Sequence, residues 1–183
     1  MRKARFGGWT FALLLALGPV PSAIRAADAV PPQAPAGAVL IVDRSDDTNV
    51  TTCGVATNDC TLRGAINKVN LSGVGQEIQF APAITQINLS APLPTLNMTG
   101  TIIQGTAGVP RINGANLAGS GDDMFTLDTR DARITGLTMI NGRRSDIMVK
   151  SGAANQIDHN YLGVSSPSAT ECLTDGATRM GSV

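Results

Sequence analysis

The sequence predicts an all-β chain, a right-handed parallel β-helix (a solenoid with coils of about 22 residues) closed at its N-terminal end by one α-helix. Three observations carry that reading. First, similar strings recur at a fixed step: Arg111-Ile112-Asn113-Gly114 returns 22 residues on as Arg133-Ile134-Thr135-Gly136. Phe80 and Ile102, Phe125 and Ile147, and Leu127 and Val149 keep the same step of 22, and Ile134 to Ile157 is one residue longer. A period of that length, made of short β-branched runs and Gly/Asn turns, marks a stack in which each repeat buries its apolar face against the next. Second, the runs alternate: Phe125 and Leu127 face one way, Thr126 and Asp128 the other. Third, a single amphipathic segment precedes the strands, while the L-x-x-L-x-L frame of a leucine-rich solenoid is missing.

Residues 1–29 read as a targeting segment. Arg2, Lys3 and Arg5 form a basic start, Trp9 to Leu17 an apolar core, and Ala27-Asp28-Ala29 fits a small-residue cleavage site. The apolar core is about half a bilayer span, so an exported protein with no stable membrane span after cleavage is expected, secreted or at a bacterial cell surface. Cleavage after Ala26 would remove four basic residues, leaving ten against fourteen acidic ones. That balance gives no basic footprint for nucleic acid. Residues 30–37 are a Pro/Ala linker, and 38–183 form the β-helix domain.

Within the domain, Ala38 to Asp43 is a continuous apolar run that suits a parallel strand covered on both sides. Cys53 and Cys60 follow, separated by a Gly/Asn/Asp loop that brings them together; export favours their oxidation to a disulfide. Two thiols without nearby His or further Cys do not make a metal site. The helix is expected at about 61–70: Leu62, Ala65, Ile66 and Val69 form one stripe, Thr61 caps the start, and Asn70 and Gly73 stop it. Its stripe is expected to cover the open end of the stack. Short strands then follow at 78–80, 84–89, 101–104 and 111–113, with Pro82, Pro92, Pro94 and Pro110 between them. Asn49, Asn70, Asn88 and Asn97 open N-x-Ser/Thr tripeptides that arise by chance in so Thr/Ser/Asn-rich a chain.

Asp59-Cys60-Thr61-Leu62-Arg63-Gly64-Ala65-Ile66, with Cys53 upstream, resembles the CSLREA domain, found near the N-terminus of secreted and surface bacterial proteins of the pectin-lyase-like β-helix type. The resemblance extends over roughly residues 39–164 and implies a fold and an exported location, with no catalytic residues. Gly64 departs from it: the family has Glu there, completing a capping box with the Ser/Thr cap. With Gly64 in that place the helix is expected to fray at its start unless packing and the disulfide hold it.

Chemistry is sparse. Asp122, Asp123 and Asp128, with Asp131, form the one acidic group dense enough for the paired carboxyls of a glycosidase, but Asp122-Asp123 lies in a Gly-rich turn that favours Asp for backbone bonding. Arg130, Arg133 and Lys150 are the basic residues a polysaccharide lyase would use. His159 is the sole histidine; Asp158 precedes it in a strand, where neighbours point to opposite faces. Tyr161 is one of three aromatics left after cleavage, with Phe80 and Phe125. No cofactor or metal motif is present, and the calcium-binding repeat G-G-x-G-x-D is missing. The expectation is a non-catalytic module whose partner is a polysaccharide or another surface protein. The alternatives are a polysaccharide lyase, a glycoside hydrolase, or the stalk of a larger surface protein. After Gly163 the pattern decays, Cys172 is an odd thiol, and Met180 to Val183 reads as the start of another coil, so a truncated β-helix is expected.

Overall fold

The computed structural model describes residues 37–54, 56–105 and 109–163. The expected targeting segment, most of the expected linker, Cys172 and the C-terminal run from 164 lie outside the described residues. The described chain is a parallel β-solenoid of about three turns with a single short helix. In chain order it runs β1 (Val39–Val42), α1 (Leu62–Ser72), β2 (Glu77–Phe80), β3 (Gln86–Asn88), β4 (Ile102–Gln104), β5 (Arg111–Asn113), β6 (Asp123–Asp128), β7 (Arg133–Thr135), β8 (Thr138–Ile140), β9 (Ser145–Ser151), β10 (Gln156–Asp158) and β11 (Tyr161–Leu162).

The strands fall on three faces. The first face stacks β1-β2-β4-β7-β10, the second β3-β5-β8-β11, and the third β6-β9, with Leu96 bridging to Leu127 ahead of them. All pairs are parallel and in direct succession, so each turn of chain visits the three faces in the same order. The inward side chains of the strands build the core. Val42 and Phe80, then Ile78, Ile103 and Ile134, stack on the first face, and Ile87, Ile112 and Met139 on the second. Every one of these is at most 2% exposed, the degree of burial that makes hydrophobic stacking the main source of stability.

The register corrects part of the 22-residue reading. Phe125 pairs with Ile147, Leu127 with Val149 and Ile134 with Ile157, at steps of 22, 22 and 23. Ile112, however, pairs with Met139, and Ile134 with Ile103, so Arg111–Asn113 and Arg133–Thr135 lie on different faces. Phe80 stands opposite Val42, while Ile102 stands opposite Glu77. The look-alike strings arise because every face needs the same local recipe, an inward Ile between polar neighbours with Gly or Asn near the corner. The turns differ in length, from 38 residues between Leu40 and Ile78, which include α1, through 31 between Ile103 and Ile134 to 22 between Phe125 and Ile147, because the connections at the corners differ.

Strand β1 is covered on one side only. Leu40 and Val42 are buried, whereas Val39 and Ile41 are 48% and 39% exposed, since β1 ends its sheet with its outer face in solvent. At the other end Ile147, Ile157 and Leu162 are only partly buried and Val149 is 42% exposed: among the described residues no further strand stacks on β9, β10 or β11.

Helix α1 runs to Ser72 and ends at Gly73, whose φ of 76° is the left-handed conformation that favours glycine. Leu62, Ala65, Ile66 and Val69 are buried in the same core as the strands. The helix start is capped without a Glu at 64. Thr61 Oγ1 accepts the Gly64 N–H at 3.0 Å and donates to the Thr48 carbonyl at 2.6 Å. The Gly64 Cα faces the Val50 carbonyl so closely that a Cβ would lie 1.8 Å from its oxygen. Glycine at 64 therefore lets two backbones touch, and a Glu returning to the cap has no room. On the polar side Arg63 spans Asp47 (Nη2 to Oδ2 2.7 Å) and the carbonyls of Ala91 and Pro92, both at 2.7 Å. Asn70 donates to the Thr95 carbonyl and accepts from Asn97 N–H, so the helix lies along residues 91–97. The Cys53–Cys60 disulfide forms, as export chemistry leads one to expect.

Asparagines stitch the corners. Asn155 accepts from Ala132 N–H and donates to the Thr129 carbonyl; Asn160 repeats this with Leu137 and Ile134. Asn88, Asn113 and Asn141 form an amide ladder up one edge, each link 2.9 Å. The Asn155 and Asn160 amides satisfy backbone groups near the corners, whereas the ladder joins side chain to side chain.

Candidate functional site: the acidic edge of the third face

The acidic residues singled out by sequence lie along β6 and the turn before it, and neighbouring residues engage each of them. Asp122 closes its turn: its Oδ2 accepts the Gly119 N–H at 2.8 Å, and its own N–H donates to the Gly119 carbonyl. Asp123, its side chain 6% exposed, receives Arg144 Nε at 2.8 Å, Arg144 Nη2 and the Ser145 hydroxyl. The Arg144 guanidinium, helped by Ser145, holds the Asp123 carboxyl below its usual range, and Arg144 is raised in return. Asp128 accepts from the Ser151 hydroxyl and from Lys150 Nζ at 3.1 Å. A bulge after Leu127 sets Asp128 opposite Ser151, so Lys150 reaches it from the extra residue rather than from directly above.

These contacts decide what the group can do. Asp123 and Asp128 open and close the six-residue β6, and five steps of an extended strand separate them by roughly 16 Å. Glycosidase carboxyls stand no more than about 9.5 Å apart. A carboxylate held charged by a bidentate guanidinium is also a poor proton donor. Arg130 lies 3.3 Å from Asp131 and is well exposed.

On the first face, Arg133 holds both oxygens of Asp158, at 3.2 and 2.8 Å. That guanidinium lowers the Asp158 carboxyl, with a smaller contribution from Thr135. His159 follows in a left-handed conformation (φ 53°), its side chain 81% exposed and its Nδ1 3.5 Å from Asp158. Arg133, rather than His159, is the partner of Asp158. Tyr161 begins β11, half-buried, on the second face.

Asp146, on β9, is the group that sequence reasoning missed. Burial pushes its carboxyl up to about 6, against a weaker opposing pull from the Gly163 and Gly142 N–H groups. Its Oδ1 occupies the space a Cβ on Gly142 would fill, at 2.4 Å. In sequence, Arg143-Arg144 looks like a solvated turn; in the fold the Asp146 carboxyl lies against Gly142 and meets the Gly142 and Gly163 N–H groups. The folded chain holds this proton more tightly than an unfolded chain with its ordinary value of 3.8. Its contribution to stability is thus fully present below pH 4 and lost as pH rises through about 6. Wild type is expected to lose about 1–2 kcal/mol between pH 4 and pH 7 relative to Asp146→Asn, after allowing for partial solvent screening. Denaturation of both proteins across that range measures it; parallel curves would contradict the assignment.

Among the described residues no group of three His, Cys, Asp or Glu is placed to hold a metal ion, and no helix is long and apolar enough to cross a membrane. No family model matches the chain, and no curated protein or solved structure does either.

Proposed function

We propose that the chain is an exported, non-catalytic module, a right-handed parallel β-helix of the CSLREA type with α1 plugging its N-terminal end. It presents a rigid face to a polysaccharide or to another surface protein. The observation that carries this reading is the engagement of Asp122, Asp123 and Asp128 by backbone, Arg144, Ser145, Lys150 and Ser151, which leaves none of these three carboxyls poised as the acid or base of a pair. The outer side of the first face supports it: Gln79 and Gln104, both half-buried, stand in register one strand spacing apart. Stacked amides of this kind offer hydrogen-bonding groups at the strand interval, which suits an extended partner. The basic and apolar N-terminal segment and the Cys-Thr-Leu-Arg motif support export.

One observation favours a polysaccharide-cleaving enzyme instead. A carboxyl raised to about 6 is the type of group that serves as general acid, so Asp146 is where catalysis would be sought. Incubation with a panel of neutral and acidic glycans separates the readings. Retention on one or more glycans without reducing-sugar release or unsaturated product is expected. Turnover abolished by Asp146→Asn, or by Asp122→Ala with Asp123→Ala, would overturn the binding-module reading.

A further inference from the structure

We infer that the Cys53–Cys60 disulfide is a redox-operated lock on helix α1: oxidised it holds the helix on the end of the solenoid, and reduced it releases the helix while the coils persist. The inference rests on the reading of α1 as an end plug.

The disulfide closes a small ring between β1 and the helix cap. Most backbone contacts at the helix start involve that ring or the segment leading into it, whereas Arg63 reaches past it to the Ala91 and Pro92 carbonyls. Cys60 directly precedes the cap residue Thr61, and its carbonyl accepts both Asp43 and Arg44 N–H at 3.1 Å. Asp43 returns the contact, accepting Asn58 N–H at 2.6 Å and Cys60 N–H at 3.0 Å. Lys68, two turns along α1, donates to the carbonyls of Thr52 and Cys53. Val50, three residues before Cys53, accepts the Thr61 N–H and supplies the carbonyl against which Gly64 lies. With the ring open, Val50 and the cap are held by hydrogen bonds alone (Thr61 with Val50 and Thr48, Cys53 N–H with the Asp59 carbonyl), so the close Gly64–Val50 approach loses its covalent constraint.

The coils have no such dependence. From β2 onward each strand is paired with strands of neighbouring turns, and their core is continuous from Ile78 to Met139. Opening is therefore sub-global, confined to the part whose seat depends on the ring. Cys53 and Cys60 are 5% and 0% exposed, so an external thiol reaches the sulfurs only when the loop opens. The step is a two-electron exchange: an external dithiol attacks one sulfur, the S–S bond breaks, and two cysteine thiols form as the dithiol closes to its own disulfide. A reducing compartment keeps the lock open, and an oxidising one sets it.

The test is hydrogen exchange of the full chain carrying Cys172→Ser, with and without dithiothreitol, alongside Cys53→Ser with Cys60→Ser. Loss of the short ring's closure constraint should speed exchange in residues 61–72 by about tenfold or more, with exchange in 77–140 unchanged. Equal exchange in 61–72 under both conditions, or an equal rise throughout 77–140, would overturn the lock. If the double variant does not fold, the reduced parent chain alone decides between those outcomes. Binding of an apolar dye on reduction reports separately on the plug: faster exchange of α1 without dye binding would keep the lock and remove the plug reading.

Discussion

Gly64→Ala is expected to destabilise the protein by about 3 kcal/mol or more, although alanine is the better helix former. Propensity alone favours the change by up to about 1 kcal/mol. Packing opposes it: the new Cβ would lie 1.8 Å from the Val50 oxygen and 2.3 Å from its carbonyl carbon, both backbone atoms. Relief requires moving the 48–50 segment, which breaks the Thr61 bonds to the Thr48 carbonyl and the Val50 N–H. The sign of the change thus decides which effect wins. Urea denaturation with unchanged m-value measures it; a neutral or stabilising result would show that the helix does not lie against Val50.

Arg63→Ala is the second large effect, at about 3–5 kcal/mol. Arg63 and Asp47 have side chains only 15% and 5% exposed, and the guanidinium also satisfies two carbonyls of the first full turn. Truncation leaves the Asp47 carboxylate buried with only the Ser90 N–H and hydroxyl as remaining donors, at 2.8 Å each. Lys150→Ala supplies the contrast, since Lys150 is 66% exposed and its pair with Asp128 sits in solvent. That variant is expected to change stability by no more than about 1 kcal/mol. Similar losses in the two variants would mean that Arg63 is not the tie between helix and coils.

Local signals in the sequence were legible because their causes are local. Thr61, the stripe through Val69 and the left-handed Gly73 define the helix, and the alternation in Met124 to Asp128 defines β6 and its partner β9. The register between distant strands was legible only where corner loops keep a constant length, as for Phe125 with Ile147. Where loops vary, the repeated Arg-Ile string misled, because Ile112 and Ile134 meet identical local needs on different faces. Gly64 shows the same limit from the other side. Against the family pattern it looks like a lost capping interaction, and only the position of Val50 reveals it as a contact. The acidic edge was visible as composition, but the engagement of Asp123 by Arg144 depends on β9 stacking on β6, and the enclosure of Asp146 on the approach of the distant Gly163. Side chains brought together by that stacking carry no mark of it in their own neighbourhood of sequence.

The vertical alignment of strands is tested most directly by trapping neighbours with engineered cysteines in a Cys172→Ser background. Asn88 and Asn113 are register partners on the second face, bonded through their amides at 2.9 Å. Asn88→Cys with Asn113→Cys is expected to form a disulfide rapidly under mild oxidation. Asn113→Cys with Thr135→Cys, the pair that a uniform 22-residue coil would stack, should remain reduced because Thr135 lies on the first face. Rapid bridging of the second pair and none of the first would contradict the solenoid described.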